Sequence, residues 1–206
     1  FGTLFKFSDG SVDLRNFVDE GNFIQSYPFV PYQYDLFRES IKGLSEHNAF
    51  EGKHSSVGER SMLGVFREVV IEIADLKLGQ LATFDLMFSG IRTALKSSVQ
   101  TSIQIAEGNL GNDFAVRILK VLFLVKYYRQ FKPTLHNICV LMLDRFDQDI
   151  SQLRKSVEEA LNLLELQTYI QRNGEVYEFL TDEEKDVEDE IKNTEVDTSE
   201  VSDELK

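Results

Sequence analysis

Apolar residues recur at three- and four-residue steps over most of the chain, and these steps predict a succession of amphipathic helices. Tyr34, Phe37, Ile41 and Leu44 place one stripe on a helix from Tyr32 to Glu46, with Pro31 at its first turn, where a missing N–H costs nothing. Ser56-Val-Gly-Glu59 has the spacing of a capping box and opens a second helix. Met62, Phe66, Val69, Val70 and Ile73 form that helix's inner face, and Gly79 closes the segment. Phe84, Phe88, Ile91, Leu95, Val99 and Ile103 predict a single long helix from Thr83 to Glu107, with Gly108 and Gly111 marking a boundary.

Beyond Asp113 the pattern predicts a helix from Phe114 to Phe131, a short helix capped near Pro133-Thr134, and a third from Ile150 to Glu165. Thr168–Arg172 and Glu175–Phe179 then flank Asn173-Gly174, a pair that tolerates the positive φ angles of a type I′ turn and sets Arg172 beside Glu175. At the other end, Thr3–Phe7 and Asn22–Ser26 have short aromatic or alternating patterns that suit small strands or extended interface segments. The expected fold class is mainly α. Three helices followed by a hairpin resemble a winged-helix domain, in which the third helix occupies the recognition position.

Charge divides the chain unevenly. The formal net charge is −13 over 206 residues, yet Asp182–Lys206 holds twelve acidic residues against three Lys, net −9, which leaves −4 for everything before it. An acidic whole excludes broad attraction to nucleic acid or anionic lipid, although a local basic patch survives such a balance. Thr181 and the acidic run after it suit a helix start that fades into a solvated linker. The apolar run Ile118–Val125, interrupted by Lys120, is far shorter than the roughly 20 residues a membrane helix requires. The one cysteine, Cys139, lies in an apolar run and excludes an internal disulfide, so a reduced, cytoplasmic setting is expected. Because the chain opens at Phe1 within strand-like sequence, it is expected to be a fragment of a longer protein.

Self-contained catalytic constellations are missing from the pattern. A phosphate loop requires a glycine five residues before the Gly52-Lys53 pair, where His47 stands, and a Ser or Thr after Lys53, where His54 stands. His47, His54 and His136 are not spaced with Cys or carboxylates as metal ligands would be. On the third helix of the second half, Gln152, Arg154 and Lys155 can meet phosphates or bases, with Arg172 added from the hairpin, but Glu158 and Glu159 follow at once.

Ser26-Tyr-Pro-Phe-Val-Pro-Tyr-Gln33 and Gly52-Lys-His-Ser-Ser-Val-Gly-Glu-Arg-Ser-Met-Leu63 resemble the large P-loop ATPase of BREX phage-defence systems, the BrxC/PglY family, over about Phe23 to Phe66. That family belongs with AAA+ ATPases of the origin-recognition type, which implies a helical lid and a winged helix after the nucleotide-binding core. The resemblance implies residues 1–30 as a remnant of that core or of interface strands, 31–110 as the lid-like bundle, 111–181 as the winged helix and 182–206 as an acidic helix or linker. It places Arg60 where such ATPases carry a nucleotide-sensing arginine, with Lys53 nearby. Arg154, Lys155 and Arg172 become the residues for double-stranded DNA. ATP and Mg²⁺ would belong to the full-length parent, and the partners would be the upstream core and other BREX proteins, without membrane contact.

Two other classes fit the same pattern. One is a stand-alone winged-helix regulator that dimerises on a palindromic operator. The other is an adaptor that docks a partner through its aromatic-rich first 37 residues.

Overall fold

The computed structural model describes residues 3–8, 10–52, 59–75, 77–188 and 190–191, with the side chains of 59–61 outside the description. The protein is mainly helical, with one small two-stranded antiparallel sheet. The helices are α1 (Glu20–Ser26), α2 (Tyr32–Glu46), α3 (Glu59–Glu72), α4 (Met87–Ile91), α5 (Ser97–Asn109), α6 (Asp113–Val125), α7 (Leu135–Leu141) and α8 (Ile150–Leu166). The strands β1 (Ile170–Asn173) and β2 (Val176–Phe179) follow, and the backbone is helical again over 182–188.

Helix α6 is the spine. Nine of its 13 residues are buried, on nearly every side of the helix, so neighbours must cover it nearly all round. α2, α4, α5, α7, α8 and β2 do so, and one continuous core joins residues from Phe5 to Phe179. α2 crosses α6 at Gly43, where an added Cβ would stand 3.0–3.1 Å from Tyr127. Tyr32 Oη donates to the Val140 carbonyl at 3.3 Å, tying α2 to α7. The two polar positions in the middle of α6 are paired rather than exposed: Arg117 with Asp85, and Lys120 with Glu107, which Arg92 also holds.

Several local expectations are corrected. Residues 22–26 are helical, because the Asp19 carboxylate accepts from Asn22 N at 2.7 Å and caps α1; residues 3–5 form a turn. The long helix over 83–107 is broken: 3₁₀ turns at Phe84–Leu86 and Arg92–Ala94 flank α4, and Leu95 and Lys96 are extended before α5. Tertiary pairing wins there, since Glu51 N donates to Ala94 O and Lys96 N to Ala49 O, each at 2.9 Å. The inward stripe crosses the break, with Phe84, Phe88, Ile91, Leu95 and Ile103 buried and Val99 half-buried.

α3 turns its faces differently from the pattern. Val65, Phe66 and Val69 are buried while Val70 is 42% exposed, because α3 crosses α4 at Gly90, where Val65 fills the space a Cβ would need. α3 also ends at Glu72; Gly79 instead makes a later turn at φ +98° and donates its N–H to Tyr27 Oη. The capping box at Ser56 lies outside the described residues. α6 stops at Val125, before the expected Phe131, where tight i→i−3 turns replace the helical ladder: Lys126 N donates to Phe123 O, Tyr128 N to Val125 O and Phe131 N to Tyr128 O.

The hairpin slips by one residue. Asn173 pairs with Val176, so the two central turn residues are Gly174 and Glu175, with φ positive at Gly174 (+64°) and not at Asn173. That is the φ pattern of a II′ turn, and it sets Arg172 opposite Tyr177 rather than beside Glu175.

Gly43→Ala should destabilise the protein by about 1–3 kcal/mol in urea unfolding, as overpacking at a close helix crossing does. Ser40→Ala should be neutral or stabilising, because Ser40 Oγ is buried without a hydrogen-bond partner. Burial alone would raise the Glu107 carboxyl, but Arg92 and Lys120 outweigh it and hold it below its ordinary 4.5. The stability this pair of cations contributes is therefore complete above about pH 4.5 and lost as pH falls through the lower folded value. The melting temperature should decline below that pH, and Glu107→Gln should flatten the decline.

Candidate partner or nucleic-acid interface

The second half builds an exposed face from α8 and the hairpin. Asp149 caps α8 by accepting from Ser151 N and Gln152 N, and Leu153, Val157, Ala160, Leu161 and Leu164 seat the helix on the core. This leaves Gln152, Arg154, Lys155, Glu158 and Glu159 on the outside. β2 is held from both sides: β1 pairs along it, and on its other edge Thr134 bridges Val176 while Tyr177 N donates to Pro133 O at 3.0 Å.

Arg172 packs on Tyr177. The Arg172 guanidinium lies 5.4 Å from the Tyr177 ring centroid and its Nε donates to Gly174 O at 2.8 Å, so it also braces the turn. Burial raises the Tyr177 hydroxyl pKa, with Arg172 and Arg154 pulling it down and Glu165 and Glu158 pushing it up. Lys155 turns elsewhere, with Nζ 3.9 Å from Glu159. Two arginines among several glutamates make a mixed face rather than a polybasic one.

Of the residues expected to sense nucleotide, Lys53 lies outside the described residues. The Arg60 backbone stands in the first turn of α3, and its side chain lies outside the description. α3 is anchored further along, by Val65 against Gly90 and by Phe66, whose ring packs on Phe29, Tyr34 and Phe37.

Groups the periodicity passed over carry much of the polar structure. Asn137, fully buried on α7, accepts from Ser8 N at 2.9 Å, and the two hydrogens of its Nδ2 are shared among Ser8 O, Ser11 Oγ and Lys132 O, fastening the N-terminal segment to the second half. Arg117 grips Asp85 through Nε at 2.8 Å and Thr83 Oγ1 through Nη2 at 2.9 Å, with Asp85 and Thr83 both buried. An arginine inside the apolar run of α6 was the available signal for this joint. His47 stacks on Tyr127 with ring centroids 4.0 Å apart, and His136 Nε2 lies 2.9 Å from Lys6 O.

Among the described residues there is no group of three or more His, Cys, Asp or Glu that could hold a metal, and no helix long and apolar enough to cross a membrane. No family model and no solved structure matches the chain.

Burial pushes the Cys139 thiol up to about 11, with Arg154 pulling the other way, so the thiol stays protonated at neutral pH. Native protein should resist a disulfide reagent at pH 7 and react only after denaturation. Arg117→Met should cost about 3 kcal/mol in chemical unfolding, because it removes the guanidinium that bonds both oxygens of the buried Asp85 carboxylate.

Proposed function

We propose that the chain is a non-catalytic part of a cytoplasmic BREX-type P-loop ATPase, in which 31–110 act as the nucleotide-sensing lid and 111–181 as a winged helix that docks a protein partner. The observation that carries the winged-helix reading is the bridge of Thr134 to Val176. It supplies a minimal third strand and the order α6, bridge, α7, α8, β1, β2, which is the element order of that domain. Use for protein contact is supported by the mixed charge around Tyr177 and the net −13 of the chain.

The lid reading rests on the resemblance around Gly52–Leu63 and on the way α3 is anchored downstream of its first turn. A guanidinium at Arg60 is always charged and offers a planar fork of donors. It suits contact with a γ-phosphate and a response to its loss. Lys53 stands in the preceding segment and would add positive charge. ATP and Mg²⁺ belong, in this reading, to the upstream core, where they supply the bond that is cleaved; Gly52-Lys53-His54 does not have the glycine spacing or the hydroxyl of a triphosphate cradle.

Arg60→Ala in the full-length protein should lower ATPase turnover or uncouple it from phage resistance while leaving the melting temperature unchanged. Wild-type turnover together with wild-type resistance would remove the sensor assignment. Duplex contact is the second reading, favoured by the exposure of Arg154, Lys155 and Arg172. It predicts a logarithmic salt slope of about −3, one step for each of Arg154, Lys155 and Arg172, and a fall to about −1 in R154E/K155E. Salt-independent or absent duplex binding supports the partner-docking role.

A further inference from the structure

The chain leaves β2 at Phe179 and turns at once into the helical segment 182–188, whose start is closed by a reciprocal cap. Glu184 N donates to Thr181 Oγ1 at 3.3 Å, and Thr181 N donates to Glu184 Oε2 at 2.8 Å. The segment is fastened to the body through polar groups. Lys126 Nζ, at the end of α6, donates to Phe179 O at 2.6 Å and to Glu184 Oε2 at 2.7 Å. On the other flank Ser102 of α5 donates to Asp182 at 3.0 Å and accepts from Lys185 Nζ at 2.8 Å, while Lys185 also lies 4.9 Å from the Tyr169 ring centroid.

Its polarity is inverted relative to an ordinary amphipathic helix. Within 182–188 no residue is buried, and Val187 is 56% exposed, while the charged Lys185 side chain is turned inward at 18%. Beside it lies a cleft of about 180 Å³, lined by Val99, Phe123, Tyr127 and Phe179, by Lys96, and on the segment's side by Thr181, Asp182 and Glu183. The lining of this cleft comes from α5 as well as from α6 and β2, and therefore spans both helical groups.

We propose that 182–188 is an ionic clip, a displaceable intramolecular ligand that walls one side of this cleft and, when released, widens it into a site for an acidic segment with apolar side chains. Charge-assisted hydrogen bonds hold the clip in place, and such contacts weaken with ionic strength where apolar packing does not. Release leaves Lys96 and Lys126 beside an aromatic floor, a surface whose chemistry matches an acidic segment that, unlike 182–188, turns apolar side chains inward. The clip is independent of the ATPase reading.

Amide hydrogen exchange on the whole chain tests this, with K126M and E184Q as variants and 1-anilinonaphthalene-8-sulfonate as the apolar anionic probe. Glu184→Gln leaves Lys126 bonded to the Phe179 carbonyl, so it weakens the clip without leaving that lysine unpaired. Protection over 182–188 should fall about tenfold in either variant, and also in wild type at about 1 M salt, where the Debye length is about 3 Å. Exchange in α6 and the hairpin should stay at the wild-type rate, and the variants should bind the fluorescent probe at low salt. Wild-type protection over 182–188 in E184Q, or loss of protection spreading into α6 and β2 in that variant, would overturn the clip.

Discussion

The burial of α6 on nearly all its sides is the constraint from which the rest of the architecture follows. A helix with Ala115, Val116, Ile118, Leu119 and every position from Val121 to Val125 buried leaves only the narrow stripe of Asp113, Arg117 and Lys120 to meet solvent. Each Leu, Val or Phe withdrawn from water contributes roughly 1.5–3 kcal/mol, so the pressure to surround this helix is large on the scale of a domain's net stability. The surrounding elements come from both halves of the chain. α2, α4 and α5 approach from one side in sequence and α7, α8 and β2 from the other, which is why the core is continuous across residue 110.

That central position also determines where the polar groups go. A cation inside an apolar helix is tolerated when its charge is met. Arg117 meets Asp85 and Thr83, Lys120 meets Glu107, and Lys126 at the helix end meets Glu184 and a backbone carbonyl. All three reach segments distant in sequence, so they orient α4, α5 and the segment after β2 about one spine. Buried or half-buried ion pairs of this kind add little net stability relative to apolar packing, and their main effect is geometric selectivity.

The exposed face of α8 and the hairpin obeys a different logic. Its shape comes from the Asp149 cap, the apolar stripe from Leu153 to Leu164, and the double pairing of β2, while its electrostatics come from side chains that never enter the core. Arg172 is partly engaged in bracing the turn and Lys155 is neighboured by Glu159, so the face is less cationic in space than the same residues suggest in sequence.

Periodicity and capping chemistry in the sequence were enough to determine the mainly helical class, the bounds of α2, the Thr134 start of α7, most of α8 and the existence of a hairpin around Gly174. These are local properties: a stripe at helical spacing, a side-chain oxygen at a cap, and a residue that accepts positive φ. The tertiary structure alone decided the break at Leu95–Lys96, the rotation of α3 that buries Val65 and exposes Val70, the one-residue slip at the turn, and with that slip the packing of Arg172 on Tyr177. Each depends on a partner far away in sequence, such as the backbone of Ala49 and Glu51, the missing Cβ of Gly90 or the edge offered by Thr134. No window of neighbouring residues contains that information, because the competing local conformations differ by less free energy than a single long-range contact supplies.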